Sequence, residues 1–143
     1  MVINFNPKYI PGDIVYNHKK EIIRITSSYL KGTKLFYYRA GVYGWIREDA
    51  IKPIPLTPEI LEKNGWKKEV MSRGVKNSHW VYTKPDIEEY GYFPIYIEKG
   101  IGKEFDVYPF TCNNVCTQIA YIKYVHQLQH LLFGLGINHE MEV

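Results

Sequence analysis

Two histidines stand four residues apart in His126-Gln127-Leu128-Gln129-His130, a spacing that puts both rings on one face of a helix. Zinc peptidases use this spacing, but they need a glutamate beside the first histidine as general base, and that position here is Gln127. Peptidase chemistry is not expected. Adding Cys112 and Cys116 gives two thiolates and two imidazoles, a set that suits tetrahedral zinc. The interval from Cys116 to His126 is short for a zinc finger, and Asn113-Asn114-Val115 lacks the glycine that helps a zinc knuckle turn. A structural-zinc module is kept as an alternative, and the expectation is no metal and no cofactor. Asp86, Glu88 and Glu89 follow Pro85 and read as a charged loop rather than an acid–base pair. Cys112 has no neighbour in sequence that would activate it. No nucleophile elbow, phosphate-cradling loop or dinucleotide fingerprint is present, so no catalytic residue is assigned and the chain is not read as an enzyme.

What remains is an aromatic and basic set. Tyr37, Tyr38, Tyr43 and Trp45 interleave with Arg39 and Arg47 on two neighbouring strand patterns. Aromatic faces stack on bases, nucleotides or proline-rich peptides, and arginine pairs with phosphate or carboxylate. These six are the candidate ligand-binding residues. Strand alternation buries about half of such rings, so Tyr37 and Arg39 share one face and Tyr38 takes the other. Plain core is the competing account of the rings.

The elements that must position this set are short. Turn signals at Pro11-Gly12-Asp13, Asn17 to Lys20, Lys31-Gly32-Thr33 and Gly41 separate strand patterns at Ile14–Tyr16, Glu21–Tyr29, Lys34–Arg39, Val42–Arg47 and Ala50–Ile54. Short strands with tight turns predict an SH3-like barrel over residues 1–54. Thr57 then caps a helix with Pro58 at its first position, and Asn64-Gly65 stops it, which predicts a helix over 58–64. Strand patterns return at Trp66–Met71, His79–Lys84, Tyr92–Glu98 and Phe105–Phe110, with Pro94 marking an edge or bulge. A strand to about Tyr121 follows. Tyr121, Val125, Leu128, Leu132 and Leu135 then step as one helical face, predicting a helix over about 122–135. The fold class expected is α+β: the small N-terminal barrel, and a 55–143 part with an antiparallel sheet and a terminal helix.

Composition narrows the context. The chain has 143 residues, with 13 tyrosines and a net charge of +3, too small a charge to demonstrate a nucleic-acid partner. Its distribution is uneven: nine Lys/Arg against four Asp/Glu through Pro53 give +5, leaving −2 for the rest. The basic part favours an anionic ligand, although a solvated surface explains the same charges. There is no apolar run long enough for a membrane span and no signal-peptide pattern, so a cytoplasmic protein without membrane partners is expected. Two cysteines make no disulfide framework.

Ile54-Pro55-Leu56-Thr57-Pro58-Glu59-Ile60-Leu61 with Lys63-Asn64-Gly65-Trp66, and Tyr124-Val125-His126-Gln127-Leu128-Gln129, resemble a large family of small uncharacterised proteins. That family is encoded by gut bacteria, their phages and mobile elements. The resemblance covers nearly the whole chain and implies a barrel-like N-terminal part and a mobile-element setting, but no reaction. Its anchors read as structural. Three functions compete. One is a non-enzymatic binding protein of phage or mobile-element type that engages a host protein or nucleic acid. Another is a binder of a nucleotide-like anion, a decoy against host defence. An enzyme ranks last.

Overall fold

The structure, a computed structural model, describes residues 7–32, 35–41, 44–72, 78–84, 95–99, 104–109 and 120–143. The chain divides into two units, Met1–Pro55 with Tyr124–Glu140, and Leu56–Lys123 with Met141–Val143.

The first unit holds two antiparallel three-stranded sheets. β1 (Ile14–Tyr16) pairs with β2 (Ile22–Arg24) and β6 (Lys52–Pro53). β4 (Leu35–Arg39) pairs with β3 (Ser27–Lys31) and β5 (Trp45–Arg47). One extended segment feeds both sheets. Ile25 donates its N–H to the Asp13 carbonyl at 2.9 Å, whereas Thr26 donates to the Arg39 carbonyl at 2.8 Å, so the chain changes partner between these two residues. Alternation then sorts the side chains. Val15, Ile23, Ile25 and Tyr38 enter a common core with Tyr9, Ala40 and Ile51, and Phe36 and Ile46 pack against it.

The expected SH3-like barrel is not confirmed as a closed barrel. No ladder closes the two sheets into a cylinder among the described residues. β6 is two residues long and its Pro53 has no N–H to donate, so it cannot bridge the sheets as a two-sided strand.

The part of the β1 edge that β6 leaves open, at Ile14, is completed by a helix. α2 (Val125–Gly134) starts three residues later than the spacing predicts, because Ile122 still belongs to β11 (Ala120–Ile122). Tyr124 donates its N–H to Gln127 Oε1 at 3.1 Å, and Val125 donates to the Ile54 carbonyl at 2.9 Å. Gln129, fully buried, accepts from the Ile14 N–H at 3.0 Å and donates to the Gly12 carbonyl at 2.9 Å and the His139 carbonyl at 3.2 Å. Its amide presents one C=O and one N–H to β1, as a paired strand residue would. Gly12 adopts φ +97° there, a conformation open to glycine, with its absent Cβ position 3.4 Å from the His139 ring.

A polar cluster lies beside this contact. Buried Asp13 accepts from the Ile10 N–H at 2.8 Å through Oδ2, which also lies 2.6 Å from His130 Nε2. The His126 ring meets those of His130 and Tyr9 edge-on at 5.5 and 5.0 Å. Tyr9 OH, Asp13 Oδ1 and His126 Nδ1 are buried without a protein partner. Burial lowers the His126 pKa to about 4, against the opposing pull of Asp13 and with help from His130 and Lys8.

In the second unit, α1 (Pro58–Lys63) begins on Thr57, whose Oγ1 accepts from the Ile60 N–H at 3.3 Å. Asn64 ends it. Its side chain donates to the Ile60 and Glu142 carbonyls, each at 2.7 Å, and accepts from the Glu142 N–H at 2.8 Å. A five-stranded antiparallel sheet follows in the order β11-β10-β9-β8-β7, with β7 at Lys67–Ser72, β8 at Ser78–Thr83, β9 at Ile95–Lys99 and β10 at Phe105–Pro109. Register puts the buried Tyr82, Ile97, Val107, Phe105 and Ile122 on one face. No helix among the described residues is long and apolar enough to cross a membrane.

Gln129→Met keeps the volume but strands the Ile14 N–H and Gly12 carbonyl, and is expected to destabilise the first unit by about 2 kcal/mol or more. Urea denaturation followed by near-UV circular dichroism measures this.

His126 sets a second expectation. Above its ordinary pKa of 6.5 the ring is neutral in folded and unfolded chains alike. Between pH 6.5 and about 4 only the unfolded chain takes up the proton, so stability falls as pH falls through this window. The total loss is about 3 kcal/mol. The stability difference between the wild type and His126→Phe, measured in urea at pH 7, 5.5 and 4.5, should shift against the wild type as pH falls.

Candidate ligand-binding face

β3, β4 and β5 carry the same local pattern. Each has an aromatic residue followed two positions later by a cation: Tyr29 and Lys31, Tyr37 and Arg39, Trp45 and Arg47. Because strand side chains alternate, all six belong to the face opposite the core residues Phe36, Tyr38 and Ile46. Cross-strand register aligns Tyr29 with Tyr37 and Tyr37 with Arg47 in one row, and Ser27 with Arg39 and Arg39 with Trp45 in the next. No residue of these three strands is acidic.

The rings form one group in which Tyr29 and Trp45 are exposed and Tyr37 is half-buried. Tyr29 and Tyr37 stack at 5.3 Å between centroids with an 11° interplanar angle. Trp45 meets Tyr29 edge-on at 4.5 Å. Trp45 is 47% exposed and Tyr29 39%, so contact among the rings leaves ring surface open to solvent. Lys31 Nζ lies 5.8 Å from the Tyr37 centroid, within reach of a cation–π attraction. Arg47 donates to Asp49 at 2.7 Å in an exposed ion pair, which is worth little and is screened by salt. Arg39 has no ion pair among the described residues.

The structure therefore brings together Tyr37, Arg39, Trp45 and Arg47. It separates Tyr38, which is 0% exposed and has its Tyr9 partner ring at 5.4 Å. The Tyr38 hydroxyl donates to Glu48 Oε1 at 2.7 Å and accepts from the Tyr9 N–H at 3.3 Å. Burial, then the bond to Glu48, raises its pKa well above the ordinary tyrosine value. Tyr43 lies outside the described residues. Tyr29 and Lys31 join the face without having been candidates. The signal was the aromatic-x-basic spacing of Tyr29 and Lys31, hidden because Lys31 reads as the start of a turn.

Cys112 and Cys116 lie outside the described residues. His130 Nε2 is taken by Asp13, and no group of three metal-ligating residues occurs among the described residues. A second exposed indole, Trp80, lies under Lys68 Nζ at 4.8 Å in the other unit. It has no partner ring among the described residues.

No family model, no curated protein and no solved structure matches this chain.

Exposure separates the outer rings from the core in a way stability can read. Trp45→Ala and Tyr37→Ala are expected to stay folded, within about 1 kcal/mol of the wild type. Tyr38→Ala should cost about 3–5 kcal/mol. Thermal and urea midpoints of the three variants provide the check.

Proposed function

We propose that this chain is a non-enzymatic binding module whose ligand seats on the outer face of β3, β4 and β5. The observation that supports the reading is the triple aromatic-x-basic pattern on one face, with every member but the half-buried Tyr37 exposed and no acidic residue in its strands. Rings left partly open to water offer stacking area, and Lys31, Arg39 and Arg47 offer charge for phosphate or carboxylate. The ligand class is an anion that also carries planar rings. Rings and cations spread over three strands are suited to holding a ligand, which favours a binding role. In the mobile-element setting that the sequence resemblance implies, the ligand belongs to the host. A decoy for a nucleotide signal is the second reading, favoured by the same rings and cations.

Adenosine and uridine monophosphates at millimolar concentration are suitable probes. Backbone amide shifts are expected at Tyr29, Tyr37, Arg39 and Trp45, and not in the five-stranded sheet, with the nucleotides recovered unchanged. Tyr37→Ala and Arg39→Ala should each reduce the shifts several-fold. Shifts confined to other parts of the chain, or conversion of the nucleotide, would reject the reading.

A further inference from the structure

We infer that the ligand of the β3–β5 face is a single-stranded nucleic acid, bound through its bases and phosphates with little regard to sequence; this rests on the binding role proposed above. The geometry of the pattern supports the polymer over other anions. In every strand the cation lies two residues beyond the ring, about 6.5–7 Å along an extended backbone. Neighbouring strands add steps of about 4.8 Å across the face. Cations therefore recur beside rings at intervals that an extended polynucleotide can follow. Each nucleotide presents a flat base to an open ring and its phosphate to a neighbouring cation.

Other ligands use less of the face. A proline-rich peptide would use the rings but leave Lys31 and Arg39, which have no ion pair among the described residues, without an anionic partner. A mononucleotide supplies one base and one phosphate, and small ligands gain affinity from concave sites that bury most of their surface. This site is an open sheet surface, so affinity has to come from repeated contacts along a chain. Duplex bases are already stacked and paired, and are closed to the rings.

The cations are not equivalent. Arg47 already contacts Asp49 at 2.7 Å, whereas Arg39 has no ion pair among the described residues and sits beside Trp45 in register. Arg39 is assigned the principal phosphate contact. Recognition is read through stacking and charge, so DNA and RNA share the chemistry. Two to three nucleotides would cover the rings, about the number stacked on comparable sheet platforms.

The test is fluorescence anisotropy of labelled ten-nucleotide oligo-dT and oligo-U on the full chain, with a labelled proline-rich peptide and labelled heparin as competing arms. Both oligonucleotides are expected to bind at least ten-fold more tightly than the monophosphates. Going from 50 to 200 mM salt should weaken binding roughly ten-fold, as two to three phosphate contacts on a single strand require. Trp45→Ala, Tyr37→Ala and Arg39→Ala should each lose about ten-fold or more, Arg47→Ala less, and Trp80→Ala nothing. A preference of Arg47→Ala over Arg39→Ala in the size of the loss would overturn the assignment of Arg39. Oligonucleotides no tighter than monophosphates would overturn the polymer and leave a nucleotide-binding face. Heparin binding equally well, insensitive to Tyr37→Ala, would reduce the face to a general anion surface. Tighter binding of the peptide would overturn the inference in favour of a protein partner. No binding in any arm, together with no amide shifts from the monophosphates, would remove the proposed function as well.

Discussion

A single side-chain amide does the work of a missing strand in the first unit. β6 covers only part of the β1 edge, pairing Val15 and Tyr16 with Pro53 and Lys52. Beyond that, Gln129 supplies the acceptor for Ile14 and a donor for Gly12. Without it, the buried Ile14 N–H would lose its acceptor, a penalty of about 1–3 kcal/mol, and the part-buried Gly12 carbonyl would lose a donor. The β1–β2 ladder positions Ile25, the point at which the chain leaves one sheet for the other. Everything built on the second sheet, including its outer face, follows from that change of partner.

The contact also explains the Tyr124–Gln129 stretch residue by residue. Gln127 accepts from the backbone at the start of α2, Val125 and Leu128 are fully buried, and His126 packs between Tyr9, Tyr124 and His130. The histidine pair is thereby committed to packing and to Asp13. The same alternation that sends Tyr38 inward to Glu48 sends Tyr37 and Arg39 outward. Core and candidate face are two sides of one strand, so the inner residues fix how the outer ones are presented.

Local chemistry made part of this readable in advance. Thr57 and Pro58 announce α1, and the strands of the five-stranded sheet emerge from β-rich runs between glycine, proline and asparagine. The division of Tyr37 and Arg39 from Tyr38 needs only the period of a strand. Pairings across long separations were not readable. Asp13 and His130 are 117 residues apart, as are Gly12 and Gln129, and no periodicity marks such partners. Strand number and turn length predict a closed barrel and do not reveal that the β1–β6 ladder stops at Pro53. Lys31 reads as turn because Gly32 follows it, although the strand runs through it and brings Tyr29 to the face.

Asn64 repeats the amide device in the second unit, pairing both ends of its side chain with the backbone of Glu142. It also precedes Gly65, and an Asn-Gly step is chemically restless. The glycine nitrogen can attack the asparagine Cγ, expel ammonia and close a succinimide that hydrolyses to aspartate or isoaspartate. Here the attacking nitrogen is occupied, donating to the Glu62 carbonyl at 3.1 Å, and the leaving amide is held by the Ile60 and Glu142 carbonyls. Deamidation would replace that donor with an oxygen facing two carbonyl oxygens, so the damaged joint would not re-form as it was. The fold thus protects its own weak bond, and the slow appearance of aspartate at this position would record how often the C-terminal residues have come away.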